Sequence, residues 1–80
     1  NFIDERCIKE PNARVGARSL YLEYKSWSQE NGEFIRREND FSLVMEKAGF
    51  NKISPKNRKV YLGLRLDPSA QFKNSYTVTG

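Results

Sequence analysis

The sequence predicts a small α+β domain in which two amphipathic helices are followed by a β-hairpin. Apolar side chains recur at helical spacing in Ala17–Asn31 and again in Arg37–Ala48, and they alternate with other residues in Lys59–Leu66. A chain of 80 residues is long enough for one domain, and a domain of that size has a thin core. Five Phe, four Tyr and one Trp are therefore expected to supply much of the buried surface.

The N-terminal segment predicts a short leading helix and then a connector. Apolar side chains in residues 1–9 form a helical stripe, whereas Pro11 stops a helix and favours a connector in residues 10–16. Within that connector, Arg14-Val15 could add a very short strand to the later sheet. Leu22 points away from the main stripe of the first long helix, and we expect the leading segment to cover it. The apolar side chains available for this are Phe2, Ile3 and Ile8.

The two long helices carry apolar stripes that can pack against each other. Gly32 and Gly49 follow them, and glycine takes the left-handed conformation that ends a helix at least cost. We expect Phe34 and Ile35, in the linker, to be buried as a plug between the helices. Aromatic residues of the first helix could instead stack on unpaired bases, but their helical spacing favours the core. The predicted inward residues are Ala17, Leu20, Tyr21, Tyr24, Trp27 and Ser28 of the first helix and Phe41, Val44, Met45 and Ala48 of the second.

The hairpin is predicted in residues 50–66. Lys52–Ser54 forms a short first strand, Pro55–Arg58 a turn, and Lys59–Leu66 the second strand. The alternation places Tyr61 on the face opposite to the leucines, where we expect it to be partly exposed. Residues 67–80 are polar and without a pattern, so we expect a domain at 1–66 and a largely disordered tail. The residues predicted to face inward from the second strand are Val60, Leu62, Leu64 and Leu66.

The excess positive charge lies on the hairpin. The chain has a net charge of +4, and residues 51–65 contain five basic residues and no acidic one. The charges of the remaining residues nearly cancel, since these residues include nine basic and ten acidic groups. A localised basic segment favours a polyanionic partner, and the alternative is a solvated hairpin that happens to be basic.

Most enzymatic and metal-binding sites are excluded by composition. The chain has no histidine, which removes Ser-His-Asp and Cys-His arrangements and the HExxH zinc motif. It also has no glycine-rich loop followed by Lys-Ser/Thr, so no nucleotide phosphate cradle is expected. Cys7 is the single cysteine and is expected to pack as a small apolar residue. We therefore expect no catalytic residue, no cofactor and no metal ion, and an intracellular compartment.

Two helices followed by a hairpin is the order of elements in a winged-helix domain. In that architecture the second helix enters the major groove of DNA and the hairpin, called the wing, contacts the DNA backbone. The alternative for the second helix is an ordinary surface of mixed charge, since Glu38, Asp40 and Glu46 would be repelled by phosphates. Outward arginine and asparagine side chains can recognise guanine and adenine. The candidate DNA-binding residues are Arg36, Arg37, Asn39 and Ser42 of the helix and Lys52, Lys56, Asn57, Arg58 and Lys59 of the wing.

The order of these motifs resembles the C-terminal domain of phage- and plasmid-type primase–helicases, the class named after the poxvirus primase–helicase. That family has an L-Y-x-x-Y-x-x-W helix, a glycine break, an F-x-x-x-L-x-x-x-G-F helix and a closing G-L-x-L strand. The resemblance implies a winged-helix DNA-binding module joined to a helicase, and often to a primase, that replicates a mobile element in a bacterial or phage-infected cytoplasm. The matching segments here are LYLEYKSW at 20–27, Asn31-Gly32, Phe41-x3-Met45-x3-Gly49-Phe50 and Tyr61-Leu-Gly-Leu-Arg-Leu.

A protein-interaction module is the rival function, since winged helices also serve as assembly surfaces. Outward Leu22 and Leu43 would then be interface residues. The chain opens without methionine and shows no signal peptide or membrane span, and we expect it to be a fragment of a longer protein. DNA binding predicts an affinity that falls steeply with salt, whereas an apolar interface would be nearly indifferent to it.

Overall fold

The computed structural model describes residues 1–69 of the chain. Its strands form one antiparallel sheet in the order β1-β3-β2, and a 3-10 turn at Pro55–Asn57 joins the last two strands. A helix, a strand, two helices and a hairpin, with the first strand paired to the last, form a winged-helix-like α+β domain, as predicted. The elements are α1 (Phe2–Arg6), β1 (Cys7–Gly16), α2 (Ala17–Glu30), α3 (Glu38–Lys47), β2 (Lys52–Ile53) and β3 (Val60–Leu66).

The N-terminal segment differs from the prediction. The chain leaves the helical conformation at Cys7, and β1 occupies both the end of the predicted helix and the whole predicted connector. The expected short strand at Arg14-Val15 is real, and it is the second half of β1, paired with Leu62 and Tyr61. The register shifts between Lys9 and Arg14, so the residues around Pro11 bulge from the ladder. Proline, which has no N–H to donate, is tolerated at such a bulge.

The core is mainly aromatic and lies between α2, α3 and the sheet. Phe2 reaches into it from α1 and lies within 5.6–6.1 Å of the rings of Tyr24, Trp27 and Phe41, measured between ring centres. These are the offset and edge-on separations that aromatic pairs favour. All six residues predicted to face inward from α2 are buried, together with Phe41 and Met45 of α3.

Several side chains predicted to be buried are exposed. Val44 and Ala48 of α3 face outward, because this short helix contacts the core mainly through residues four positions apart. Phe34 is 80% exposed, and only its neighbour Ile35 packs partly against the core. The aromatic side chain that contacts both helices is that of Phe2. Leu22 also remains exposed, so α1 covers the aromatic stripe of α2 and not this residue.

The face of β3 that is buried changes along the strand. Tyr61 is 1% exposed and Leu64 is fully buried, whereas Leu62 is only half-buried. The two inward residues are three positions apart, which strict alternation forbids. Gly63 lies between them with a φ of +89°, a conformation that favours glycine and inverts the alternation. The prediction that Tyr61 is partly exposed is therefore wrong.

A buried ion pair connects α1 to α2. Arg6 donates from Nη1 to Oε2 of Glu23 at 2.7 Å, and from Nη2 to Oε2 of Glu30. Burial alone would lower the pKa of Arg6, but its hydrogen bonds and charge interactions with the two carboxylates raise it. The backbone of Arg6 also accepts a hydrogen bond from the N–H of Asp67 at 2.8 Å, which closes the domain beside the end of β3.

The predicted tail disorder concerns residues that lie almost entirely outside the described part of the chain, so it stays a prediction. Within residues 1–69, no helix has the length and apolar character needed to cross a membrane.

Candidate nucleic-acid interface

The tip of the hairpin presents its basic side chains to solvent. Lys56, Asn57, Arg58 and Lys59 are all exposed, and none of the three cations forms an ion pair with another described residue. Proline begins the turn, as predicted, and the N–H of Arg58 closes it on the carbonyl of Pro55 at 2.9 Å. The turn therefore holds three free positive charges on a short, defined backbone.

Two turn residues have left-handed backbone conformations. Lys56 has a φ of +50° and Asn57 a φ of +66°. Asparagine tolerates this region well, whereas for lysine it costs roughly 1–2 kcal/mol. Both residues are exposed, so a polyanion can reach their side chains.

Lys52 is placed differently from the lysines of the tip. Its side chain is half-buried and its Nζ donates to Oγ of Ser42 at 2.8 Å. The same ammonium lies 5.7 Å from the centre of the Tyr61 ring, a cation–π distance. Tyr61 in turn donates its hydroxyl to Oγ of Ser42 at 3.0 Å. The base of the wing is thus tied to α3 through one serine.

A polar cavity of about 150 Å³ lies between α3 and the base of the wing. It brings together four of the nine predicted residues, which the sequence places in three separate segments. A further lining residue, Tyr61, has no role in the prediction because the alternation places it outside. The lining residues that carry polar groups are Glu38, Asn39, Ser42, Lys52, Lys59 and Tyr61.

The remaining predicted residues of the α3 region lie apart from this cavity. The backbone of Arg36 is anchored, since its N–H donates to the hydroxyl of Tyr24 at 3.0 Å and its carbonyl accepts from the hydroxyl of Tyr21 at 2.7 Å. Arg36 is exposed and lines an apolar groove that is separate from this cavity and is described below. Arg37 is the N-cap residue of α3, with an extended backbone and an exposed side chain.

Of the three acidic residues of α3, only Glu38 forms an ion pair with another described residue. Oε1 of Glu38 accepts a hydrogen bond from Nη1 of Arg18 at 2.8 Å, a contact between α3 and the first turn of α2. Asp40 and Glu46 are exposed and have no ion-pair partner among the described residues. The outward surface of α3 therefore has mixed charge. On the hairpin, Arg65 is engaged by Glu10 at 2.7 Å and adds nothing to the charge of the tip.

An apolar groove of about 260 Å³ lies on the other side of α3. Phe34 and Val44 line it, both exposed, with Ile3 and Trp27 deeper in the structure. Leu43 is exposed on the same helix. Sequence reasoning placed Phe34 and Val44 in the core, and no feature of their local pattern separates a groove residue from a buried one.

None of the protein-family models matches the chain, and no curated protein matches it significantly.

Proposed function

We propose that this chain is a DNA-binding module that uses its basic wing to grip the phosphate backbone. The observation that carries the proposal is the group of three exposed, unpaired cations, Lys56, Arg58 and Lys59, on one tight turn. Duplex DNA carries one negative charge for about every 1.7 Å of its axis, so neighbouring phosphates can meet neighbouring cations. Each contact releases counterions, which drives binding.

Binding through the wing alone predicts a measurable decrease of DNA affinity with salt concentration. Three phosphate contacts give a slope of about −2.7 in the logarithm of affinity against the logarithm of salt concentration. Affinity for duplex DNA should then fall about 40-fold between 50 and 200 mM salt. Contacts made by α3 or by the base of the wing would steepen this slope.

The second helix, α3, is proposed as a smaller contributor. Asn39 is exposed beside the wing and can form paired hydrogen bonds with adenine, while Arg36 can recognise guanine. Asp40 and Glu46 oppose close approach of phosphates on the same helix. Base recognition by α3 should therefore be modest, and backbone and DNA shape should dominate.

The resemblance to primase–helicases supplies the wider context of the proposal. A DNA-binding module of this kind would hold the replication origin or fork for a helicase located elsewhere in a longer chain, in a bacterial or phage-infected cytoplasm. The module itself would use no cofactor or metal ion and perform no catalysis. Reproducible ATP hydrolysis by the purified domain, free of contaminants, would overturn that part.

Reversing two wing charges tests the proposal. The double variant Lys56→Glu/Arg58→Glu should weaken binding to all duplexes about equally and reduce the salt slope by about 1.8, because two phosphate contacts are lost. The matched control is Lys9→Glu/Lys25→Glu, which makes the same change of charge on β1 and α2. Fluorescence anisotropy of labelled duplexes at several salt concentrations measures both quantities. Unchanged affinity and slope in the wing variant would remove the main support for DNA binding.

A protein-interaction module is the second candidate, and the apolar groove favours it. Phe34, Leu43 and Val44 expose a large apolar area on and beside α3. Binding through that surface would be nearly independent of salt, because apolar contacts release no counterions. A salt-insensitive complex that is lost in Phe34→Ser and kept in Lys56→Glu/Arg58→Glu would establish this function instead.

A further inference from the structure

The polar cavity beside the wing base contains hydrogen-bond donors that the fold does not use. Lys52 gives one of its three ammonium hydrogens to Ser42, which leaves two for another acceptor. Lys59 is exposed and unpaired at the cavity edge. The amide of Asn39, an exposed residue in the first turn of α3, also lines the space.

A count of the hydrogen-bond positions of Ser42 shows that its hydroxyl is a further, uncharged donor. A hydroxyl has two acceptor positions and one hydrogen. Both acceptor positions of Ser42 are occupied, by the ammonium of Lys52 at 2.8 Å and by the hydroxyl of Tyr61 at 3.0 Å. Its own hydrogen is donated to no described residue and remains available. Burial is the main cause that raises the pKa of Tyr61, so the phenol stays protonated and keeps donating at neutral pH.

The charge around the cavity favours an anion. Lys52 and Lys59 contribute two positive charges. Glu38 lines the same space with a carboxylate, but Arg18 binds that carboxylate at 2.8 Å and offsets it. A cavity of about 150 Å³ far exceeds the roughly 10–15 Å³ that one water needs, so it has room for a larger polar group.

We propose that this cavity binds a single phosphate of the DNA backbone, held by the ammonium groups of Lys52 and Lys59 and by the hydroxyl of Ser42. Asn39 adds an amide donor. Tyr61 is a positioning residue, because its hydroxyl and its ring hold Ser42 and Lys52 in place. The inference rests on the proposed DNA-binding function and adds to it an anchor at the wing base, which shares Lys59 with the exposed tip and adds Lys52 and Ser42.

Loss of a charged donor and loss of a neutral donor should change duplex binding differently, the first through the salt slope and the second through affinity alone. Lys52→Gln should reduce the salt slope by about 0.9, because one counterion-releasing contact is lost. Ser42→Ala should lower affinity about tenfold at every salt concentration with no change of slope, because a hydroxyl releases no counterion. Tyr61→Phe should lower affinity by less, and should have no further effect once Ser42 is already alanine. Lys9→Gln, on the opposite edge of the sheet, is the control and should change neither quantity.

The experiment combines anisotropy with a short random-sequence duplex and amide NMR of the ¹⁵N-labelled domain. The duplex should shift the amide signals of Asn39 and Ser42, and Lys52→Gln should reduce the shift of Ser42, whose hydroxyl lies beside the replaced ammonium. Inorganic phosphate, titrated separately, distinguishes a DNA phosphate from a free one. Spectra and thermal melting of each variant verify folding, and if Ser42→Ala unfolds, Lys52→Gln and Lys59→Gln carry the test on slope.

The outcomes separate the inference from the proposed function. Steep salt dependence with no effect of either Lys52→Gln or Ser42→Ala overturns the anchor and leaves wing binding intact. Absence of duplex binding at all salt concentrations overturns the proposed function and the inference together. Binding of inorganic phosphate without binding of the duplex also overturns the inference, since the anchor would then serve a free anion.

Discussion

Removing Arg6 should be among the most damaging single changes in this domain. Its side chain is 10% exposed and that of Glu23 15% exposed, whereas Glu30 is 43% exposed. The pair with Glu23 is therefore buried, and the contact with Glu30 is largely screened by solvent. Replacing Arg6 by methionine keeps much of the volume but leaves the carboxylate of Glu23 buried without a cation.

The expected cost follows from that burial. Breaking a buried ion pair by removing one partner typically costs about 3–5 kcal/mol, and we expect about 3 kcal/mol because Glu23 keeps some access to water. A domain of this length has a total stability of roughly 4–12 kcal/mol, so the loss is a large fraction of it. Replacing both partners, as Arg6→Met/Glu23→Leu, should restore stability to within about 1 kcal/mol of the wild type. Arg6→Lys should be intermediate, because lysine cannot hold two carboxylates with a planar fork.

Urea unfolding followed by the fluorescence of buried Trp27 measures these differences. With a slope of roughly 1 kcal/mol per molar urea, a 3 kcal/mol loss moves the midpoint by about 3 M. A cost under 1 kcal/mol for Arg6→Met would refute the argument, since the pair would then behave like a surface contact. A double variant no more stable than the single one would also refute it, because the unpaired carboxylate would not be the cause.

Three further predictions concern the backbone of β3, the buried thiol and the linker. Gly63→Ala should destabilise by about 1–2 kcal/mol in urea unfolding, because the position has space for a methyl group but a positive φ, whereas Gly16→Ala, at φ −59°, should be nearly neutral. Burial, aided by nearby carboxylates, raises the pKa of Cys7 from 9.0 to about 12, so the unfolded thiol ionises before the folded one. Stability should consequently be insensitive to this group below pH 9 and fall above it by up to about 1.4 kcal/mol per pH unit, a trend that urea titrations should find missing in Cys7→Ala. Phe34→Ser should leave the melting temperature almost unchanged, whereas Phe2→Ala should cost about 3–5 kcal/mol, and equal effects would contradict the exposure of the linker.

The long helices and the hairpin could be predicted because their signals are local. Periodicity located α2 and α3 to within one residue at each end, and alternation located β3. Apart from the expected short segment at Arg14-Val15, the first strand was missed, because its partner lies some fifty residues later in the chain and Pro11 interrupts its pattern. The burial of Tyr61 was missed because Gly63 inverts the alternation. The residues on either side of this glycine follow the pattern of a regular strand, so alternation alone places Tyr61 on the wrong face.

In the candidate site, too, the local features could be predicted from the sequence and the contacts between distant residues could not. Turn chemistry and charge were enough to locate the exposed cations of the wing. The contacts among Ser42, Lys52 and Tyr61 depend on how α3 packs against the sheet, so the sequence alone could not reveal them. The same is true of the ion pair between Arg18 and Glu38, which joins residues twenty positions apart on two different helices.

The hydrogen bond between the N–H of Asp67 and the carbonyl of Arg6 has a mechanical consequence. It lies directly beside the paired residues Cys7 and Leu66, so the end of α1 and the end of β3 meet at the same end of the sheet. Tension between Asn1 and Asp67 would first load α1, whose Phe2 and Arg6 are buried, and would then peel β1 from β3 one hydrogen bond at a time from Cys7 and Leu66. A pull applied between the wing tip and Asp67 would instead load β3 along its length and meet far greater resistance. Under the proposed function, force transmitted through DNA would act on the wing tip, and the domain should resist it better than tension applied between its own two ends.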